Sequence, residues 1–168
     1  EKKIINEMIG SKAYAYVVNY FGFDELKLMA ALYRKNVKLR YSLKPFVLNG
    51  TNFNRGSIII ARGDNKHLET DFDKTVTDAA NDCQVSLIST STGLVDSGKD
   101  FGSANSPLMK KKSVALLCGE GTSSGSVGKL WYFFEKELTY PVSLINIGNA
   151  ETVDFKDYEV LILTSGIY

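Results

Sequence analysis

The sequence predicts an α/β protein with a mostly parallel sheet and flanking helices, built from two similar halves of βαβ type. Short apolar runs alternate with segments of helical periodicity along the chain. The strongest run, residues 57–62, is β-branched and bounded by glycines, which is typical of a strand buried on both faces. The order strand, helix, strand, apolar strand occurs on each side of a polar stretch at 92–112.

In the first half, we expect strands at residues 13–18, 37–43, 57–62 and 84–91, and helices at 23–36 and 68–83. The first helix carries apolar side chains at three- and four-residue steps from Leu26 to Tyr33, with Asp24 as a candidate N-terminal cap. The dipeptide Asn49-Gly50 predicts a tight turn. The Gly- and Ser-rich stretch at 92–112 is interpreted as the connection between the halves.

In the second half, we expect strands at residues 113–118, 141–147 and 159–164, and a helix at 126–138. One stripe of this helix contains Trp131, which we predict to be buried. We divide the chain into an α/β unit at 1–107 and a second unit at 108–168. The two lie side by side or form one continuous domain.

The composition limits the classes of function. The chain has 168 residues, is 44% hydrophobic and carries a net charge of +1, so we expect no nucleic-acid partner. The lysines at 110–112 are interpreted as a solvated edge, and no apolar run is long enough for a membrane span. Because the chain stops just after an apolar strand and a glycine turn, we expect it to be a piece of a longer polypeptide.

Few residues could carry catalysis. His67 is the only histidine, so we expect neither a zinc site nor another cofactor in these residues. The sequence also lacks a G-x-S-x-G nucleophile elbow. Cys118 lies at the carboxyl end of an apolar strand, where α/β proteins bind ligands, but a nucleophilic thiol also needs a base. Cys83 and Cys118 are therefore interpreted as buried structural thiols.

The segment "GEGTSSG" at 119–125 is the strongest candidate for a binding loop. It is one residue longer than the dinucleotide fingerprint, and Glu120 would repel a phosphate at the following helix. Ser124 or Ser126 could cap that helix. Three interpretations stay open: a glycine turn before a capped helix, a contact surface for another domain, or a site for an anion or small molecule. The candidate ligand residues are Gly119, Glu120, Gly121, Thr122, Ser123 and Ser124.

Residues 114–145 and 153–168 resemble the C-terminal region of bacterial zinc carboxypeptidase-like proteins, the carboxypeptidase A-like metallopeptidases. The most specific parts are G-E-G-x-S-S-x-x-x-G at 119–128, the helix with Trp131, and Y-x-V-L-I-L at 158–163. "AYAYVVNYFGF", "FNRGSIIIAR" and "VDSGKDFGS" also look like that region, so the match spans nearly the whole chain. The resemblance implies a flavodoxin-like fold of the class I glutamine amidotransferase type.

The resemblance also implies a function. The parent would be a zinc metallocarboxypeptidase-like hydrolase, periplasmic or secreted, with its zinc and catalytic residues in a preceding peptidase domain. This chain would be a non-catalytic accessory domain, with the rest of its own polypeptide as partner. It would lack glutaminase activity, since Cys118 does not match the family's nucleophile. The alternatives are a small-molecule or anion-binding module that uses 119–125, and a truncated amidotransferase-like enzyme that uses Cys118.

Overall fold

The chain divides into two units, Glu1–Lys110 and Lys111–Tyr168, and each has its own strands and core. The structure is a computed structural model that describes residues 3–7 and 13–167. In this part of the chain, no helix is long and apolar enough to cross a membrane.

The described residues of unit 1 form six strands and two α-helices. In chain order they are β1 (Ala15–Val18), α1 (Phe23–Arg34), β2 (Arg40–Tyr41), β3 (Phe46–Leu48), β4 (Thr51–Phe53), β5 (Ile58–Ala61), α2 (Phe72–Asp82) and β6 (Ile88–Thr90). The main sheet has the order β2-β5-β1-β6, and all its neighbouring strands are antiparallel. Strands β3 and β4 form a separate hairpin whose turn is Asn49-Gly50.

The helices of unit 1 connect strands that are not neighbours. Helix α1 joins β1 to β2 with β5 lying between them, and α2 joins β5 to β6 with β1 lying between them. Two interleaved split β-α-β units of this kind give the connectivity that is called ferredoxin-like. The β3–β4 hairpin is an insertion between β2 and β5.

The predicted fold class is therefore wrong: the sheet is not mostly parallel, and the fold is not flavodoxin-like. The prediction rested on the β-branched run in β5, which is indeed buried throughout. Burial on both faces does not require parallel pairing, because an antiparallel sheet becomes equally apolar once both of its faces are covered. Parallel pairing is confined to unit 2, so the two halves are not similar βαβ units either.

Alternate residues of the central strands enter two different cores. On one face, residues of β1 and β5 pack against both helices; this core includes Tyr16, Val18, Ile58, Ile60, Leu28, Leu32, Phe72 and Val76. On the other face, the alternate residues pack against the hairpin and a later loop; this core includes Ala15, Val17, Ile59, Phe46, Phe53 and Phe101. Each face of the antiparallel sheet thus has its own apolar cover.

The polar stretch at 92–112 does more than connect the two halves. Phe101 is buried, and its ring meets the ring of Phe46 edge-on at 5.5 Å between centroids. Phe46 in turn stacks on Phe53 at 5.0 Å. Val47 and Ser97 form an antiparallel bridge that holds the stretch against the hairpin. Residues 92–106 are therefore part of the cover over the second face.

Unit 2 is a small parallel sheet with one main helix. Its elements are β7 (Val114–Cys118), α3 (Ser124–Tyr132), a π-helical segment (Phe133–Leu138), β8 (Ser143–Asn146) and β9 (Val160–Ile162). The strand order is β8-β7-β9, and both pairings are parallel. Among the described residues, β8 and β9 are the edge strands.

The core of unit 2 lies mainly on one face of its sheet. Ala115, Leu117 and Ile145 are buried there beneath four apolar side chains of the following segment, namely Ile147, Val153, Phe155 and Tyr158. Helix α3 packs near the other face, but no residue of α3 is buried. The expected burial of Trp131 is wrong, since 40% of this side chain is exposed.

Candidate functional site

The loop at 119–123 leaves the carboxyl end of β7 and enters α3. Because neighbouring strands are parallel, their carboxyl ends meet at one edge of the sheet, where ligands bind in open α/β sheets. The loop also pairs with the backbone that follows β9. Ser123 N–H donates to the Ser165 carbonyl at 2.8 Å, and Ile167 N–H donates to the Gly121 carbonyl at 2.8 Å.

The glycines of the loop are required by close contacts within unit 2. Gly119 has φ +111°, and a Cβ there would lie 2.7 Å from Asn146 Oδ1. Gly121 has φ +85°, and a Cβ there would collide with the Ile167 carbonyl oxygen. L-residues rarely adopt these φ values. Both glycines are thus explained by the turn and by its neighbours, with no ligand needed.

The helix cap lies one residue earlier than expected. Ser123 Oγ accepts the N–H of Ser126 at 3.4 Å, so Ser123 is the N-cap and the prediction of Ser124 or Ser126 is wrong. Thr122 Oγ1 donates to the Gly119 carbonyl at 2.7 Å, which tightens the turn. Ser124 is the first residue of α3 and is exposed.

A cavity of about 340 Å³ opens beside this loop, between α3 and β8. Its lining residues are Cys118, Gly119, Thr122, Ser124, Val127, Gly128, Trp131 and Leu144. One end is formed by the loop and carries hydroxyl groups. The other end is apolar and is formed by the helix and by the middle of β8. Concave sites of this composition are where proteins usually bind small molecules.

The six predicted ligand residues fall into three groups. Gly119, Thr122 and Ser124 line the cavity. Gly121 and Ser123 instead hold the loop against residues 165–167. Glu120 is exposed and is not among the lining residues.

Sequence reasoning missed the apolar end of the cavity. Gly128 enters the sequence analysis only as the last glycine of the motif at 119–128, Leu144 is assigned to no site, and Trp131 is predicted to lie in the core. A glycine inside a helix costs roughly 0.5–1 kcal/mol relative to alanine, so Gly128 was a visible signal. Leu144 gave no comparable signal, because an apolar residue in a strand is most simply expected to be in the core.

Cys118, Cys83 and His67 have different local surroundings. Cys118 is half-buried, and its Sγ donates to the Ile145 carbonyl at 3.5 Å. Cys83, in unit 1, is also half-buried, and burial together with the nearby Asp82 carboxylate raises the pKa of its thiol. His67 is exposed, with Nε2 3.1 Å from the Asn36 carbonyl oxygen. Within residues 3–7 and 13–167, no three His, Cys, Asp or Glu side chains converge as a metal site would require.

Comparison with protein-family profiles, curated proteins and solved structures finds no match. The likeness to zinc carboxypeptidase-like proteins therefore stays a prediction from the residues that carry it. The geometry of unit 2 has to support any functional assignment by itself.

Proposed function

We propose that the chain is a non-catalytic docking module that binds another polypeptide along strand β9. The observation that carries this proposal is the exposure of β9. In the side chains of Leu161 and Leu163, 43% and 55% of the surface is exposed. Val160 is exposed as well. Three apolar residues thus lie uncovered within four consecutive positions, two of them in edge strand β9 and the third, Leu163, directly after it.

Parallel sheets are normally covered on both faces, because their strands are apolar on both sides. The central strand β7 follows this rule, with residues from Val114 to Leu117 buried. Strand β9 does not, although Leu161 pairs directly with the buried Ala115. Exposed apolar surface at the edge of a sheet is typical of a site that pairs with another chain.

The occupant that fits this edge is an extended apolar segment. It would add a fourth strand beside β9 through backbone hydrogen bonds, and its side chains would cover Leu161 and Leu163. On the sequence resemblance alone, the partner is the zinc carboxypeptidase-like peptidase domain of the same bacterial polypeptide, in the periplasm or secreted. In that assignment the zinc and the hydrolysis of peptides belong to the peptidase domain.

Site-specific photo-cross-linking tests the proposal. A benzophenone amino acid replaces Leu163 in the full-length protein, expressed in the cells that produce it, and the cross-linked species are identified by mass spectrometry. The matched control places the same amino acid at Lys74, an exposed position on α2 of unit 1. We expect a discrete product from position 163 that is absent from position 74.

The identity of the cross-linked segment decides between the assignments. A segment in a peptidase domain of the same polypeptide supports the proposal in full. A segment of a different protein supports docking and overturns the peptidase assignment. A product formed only between copies of this chain, or no discrete product, overturns docking. Leu161→Lys should abolish the product and lower the stability of the chain only slightly, since 43% of the residue is already exposed.

A further inference from the structure

The cavity between α3 and β8 has a feature that packing within the chain does not explain. Gly128 lies in the interior of α3 and lines the cavity. A Cβ at this position would meet no atom within 4 Å. Unlike Gly119 and Gly121, Gly128 is therefore not required by a neighbour. Because glycine has no side chain, the helix backbone at residue 128 is uncovered where it lines the cavity, and it forms a flat strip there.

Trp131 stands beside this strip. Residues three apart are neighbours on a helix surface, so Gly128 and Trp131 form one continuous wall. The indole ring is 40% exposed although it lines the cavity, and Leu144 on β8 is exposed as well. An aromatic ring bound between Trp131 and Leu144 would contact the face of the indole and the backbone of Gly128. No Cβ at residue 128 would stand in its way. Flat aromatic molecules fit such a slot, because aromatic rings prefer offset stacking.

The loop end of the cavity offers hydroxyl groups for hydrogen bonding and has no charged side chain in its lining. Thr122 Oγ1 donates to the Gly119 carbonyl, so this hydroxyl can take part in a further hydrogen bond only as an acceptor. The exposed Ser124 hydroxyl can donate or accept. The lining residues carry no charge; in the sequence, Glu120 adjoins Gly119 at this end, and Lys129 adjoins Gly128 at the helix end. A carboxylate near this end disfavours phosphates and other anions.

We propose that this cavity binds an uncharged planar heteroaromatic molecule of about the size of a nucleoside. Its ring stacks on Trp131 and covers the Gly128 backbone, and its polar edge bonds to Thr122 and Ser124. The cavity volume of about 340 Å³ falls within the range of small-molecule sites, roughly 300–1,000 Å³. This site is separate from the β9 edge, so the inference does not depend on the docking function.

Trp131 is the only tryptophan of the chain, so its fluorescence reports on this cavity alone. The test titrates the full chain with adenosine, thymidine and caffeine as uncharged probes, and with adenosine monophosphate as an anionic one. We expect saturable quenching by at least one uncharged probe below about 10 mM. Adenosine monophosphate should bind more weakly than adenosine, and Glu120→Gln should reduce that difference.

Two glycine variants of the same helix separate ligand binding from helix stability. Gly128→Leu places a side chain in the cavity, while Gly125→Leu is the matched control, because Gly125 also has open space around it but does not line the cavity. Both changes favour the helix. Gly128→Leu should weaken binding by roughly tenfold or more, and Gly125→Leu should leave it nearly unchanged.

Three outcomes would overturn the proposal. The first is the absence of saturable quenching by every uncharged probe. The second is equal or tighter binding of the monophosphate, which would assign the site to anions. The third is equal weakening by the Gly125 and Gly128 variants, which would show that the probes respond to the helix and not to the cavity.

Discussion

The Tyr16 hydroxyl donates a hydrogen bond of 2.8 Å to Asp73 Oδ1, and this bond joins strand β1 to helix α2 across the core of unit 1. Asp73 also accepts hydrogen bonds from Arg62 Nη2, at 2.6 Å to each carboxylate oxygen. The Arg62 guanidinium lies over the ring of Phe72, 4.6 Å from its centroid. Burial, followed by the bond to Asp73, raises the pKa of Tyr16 far above its ordinary value.

The first prediction concerns stability at alkaline pH. The pKa of Tyr16 is higher in the folded chain than the value of about 10 expected in the unfolded chain. Its contribution to stability is therefore fully present below pH ~10 and is lost as the pH rises towards the folded-state pKa. Tyr16→Phe should lower the free energy of unfolding by about 1.5–3 kcal/mol at neutral pH and make the alkaline decline shallower.

Urea unfolding at about pH 7 and at several values above about pH 10 measures both effects. Tyr132→Phe, which removes the hydroxyl of an exposed tyrosine, is the control and should resemble the unchanged chain at every pH. If Tyr16→Phe kept the full alkaline decline, Tyr16 would not be its source.

The second prediction tests the cover formed by residues 92–106. Phe101→Ala should lower the free energy of unfolding by about 3–5 kcal/mol, because it empties a buried site beside Phe46. Phe21→Ala removes an equal side chain that is 76% exposed, and it should change stability by about 0.5 kcal/mol or less. Chemical denaturation of both variants is the measurement. Similar losses would mean that the stretch does not cover the sheet.

The third prediction compares two glycines of unit 2. Gly121→Ala should destabilise the chain by about 1–3 kcal/mol, since it combines a positive φ with a collision at the Ile167 carbonyl. Gly128→Ala should instead stabilise it by about 0.5–1 kcal/mol, because it meets open space inside a helix. Thermal unfolding followed by circular dichroism gives the sign of each change. If both substitutions changed the stability in the same direction, the difference described here between the surroundings of Gly121 and Gly128 would be wrong.

The fourth prediction follows from the exposure of Trp131. Trp131→Ala should cost about 1 kcal/mol or less, well below the 3–5 kcal/mol of a buried tryptophan, because much of the ring already contacts solvent. Denaturant unfolding followed by circular dichroism measures the change. A loss in the range of a buried tryptophan would place the indole in the core after all.

The sequence was sufficient to locate most of the elements, though not strands β3 and β4, and it was not sufficient to pair them. Helix α1 begins at Phe23, as the periodicity predicts, although its N-cap is Gly22 and the prediction of Asp24 is wrong; the Asn49-Gly50 turn forms a hairpin. The direction of β5 could not be obtained in the same way. The isoleucines of β5 indicate only that both faces of the strand are buried. The residues that bury them come from distant segments, such as the one that contains Phe101. Because Phe101 lies among polar residues in the sequence, the pattern does not predict that its side chain is buried.

The candidate site was predictable in part for similar reasons. The position of the loop followed from the glycines after an apolar strand, but the capping residue did not, because Ser123, Ser124 and Ser126 offer the same hydroxyl within one turn. The apolar stripe was drawn for a regular helix to residue 138. Leu138, in the π-helical segment that begins at Phe133, is buried as the stripe predicts, whereas Trp131 lies in the regular part of α3, where no residue is buried. The periodicity marks an apolar face but does not show whether another element covers it.

The interleaved connectivity of unit 1 also bears on how fast the protein folds. Val17 has Ile59 on one side and Ile88 on the other, so the central strand finds both of its partners far along the chain. Of the pairings in this sheet, only that of β2 with β5 joins consecutive strands, and it spans the inserted hairpin; the loops that bring β1 to β5 and to β6 are longer, and closing them costs entropy. We therefore expect unit 1 to have a high contact order and to fold slowly for its size. During synthesis, β1 would therefore remain unpaired until β5 had emerged from the ribosome.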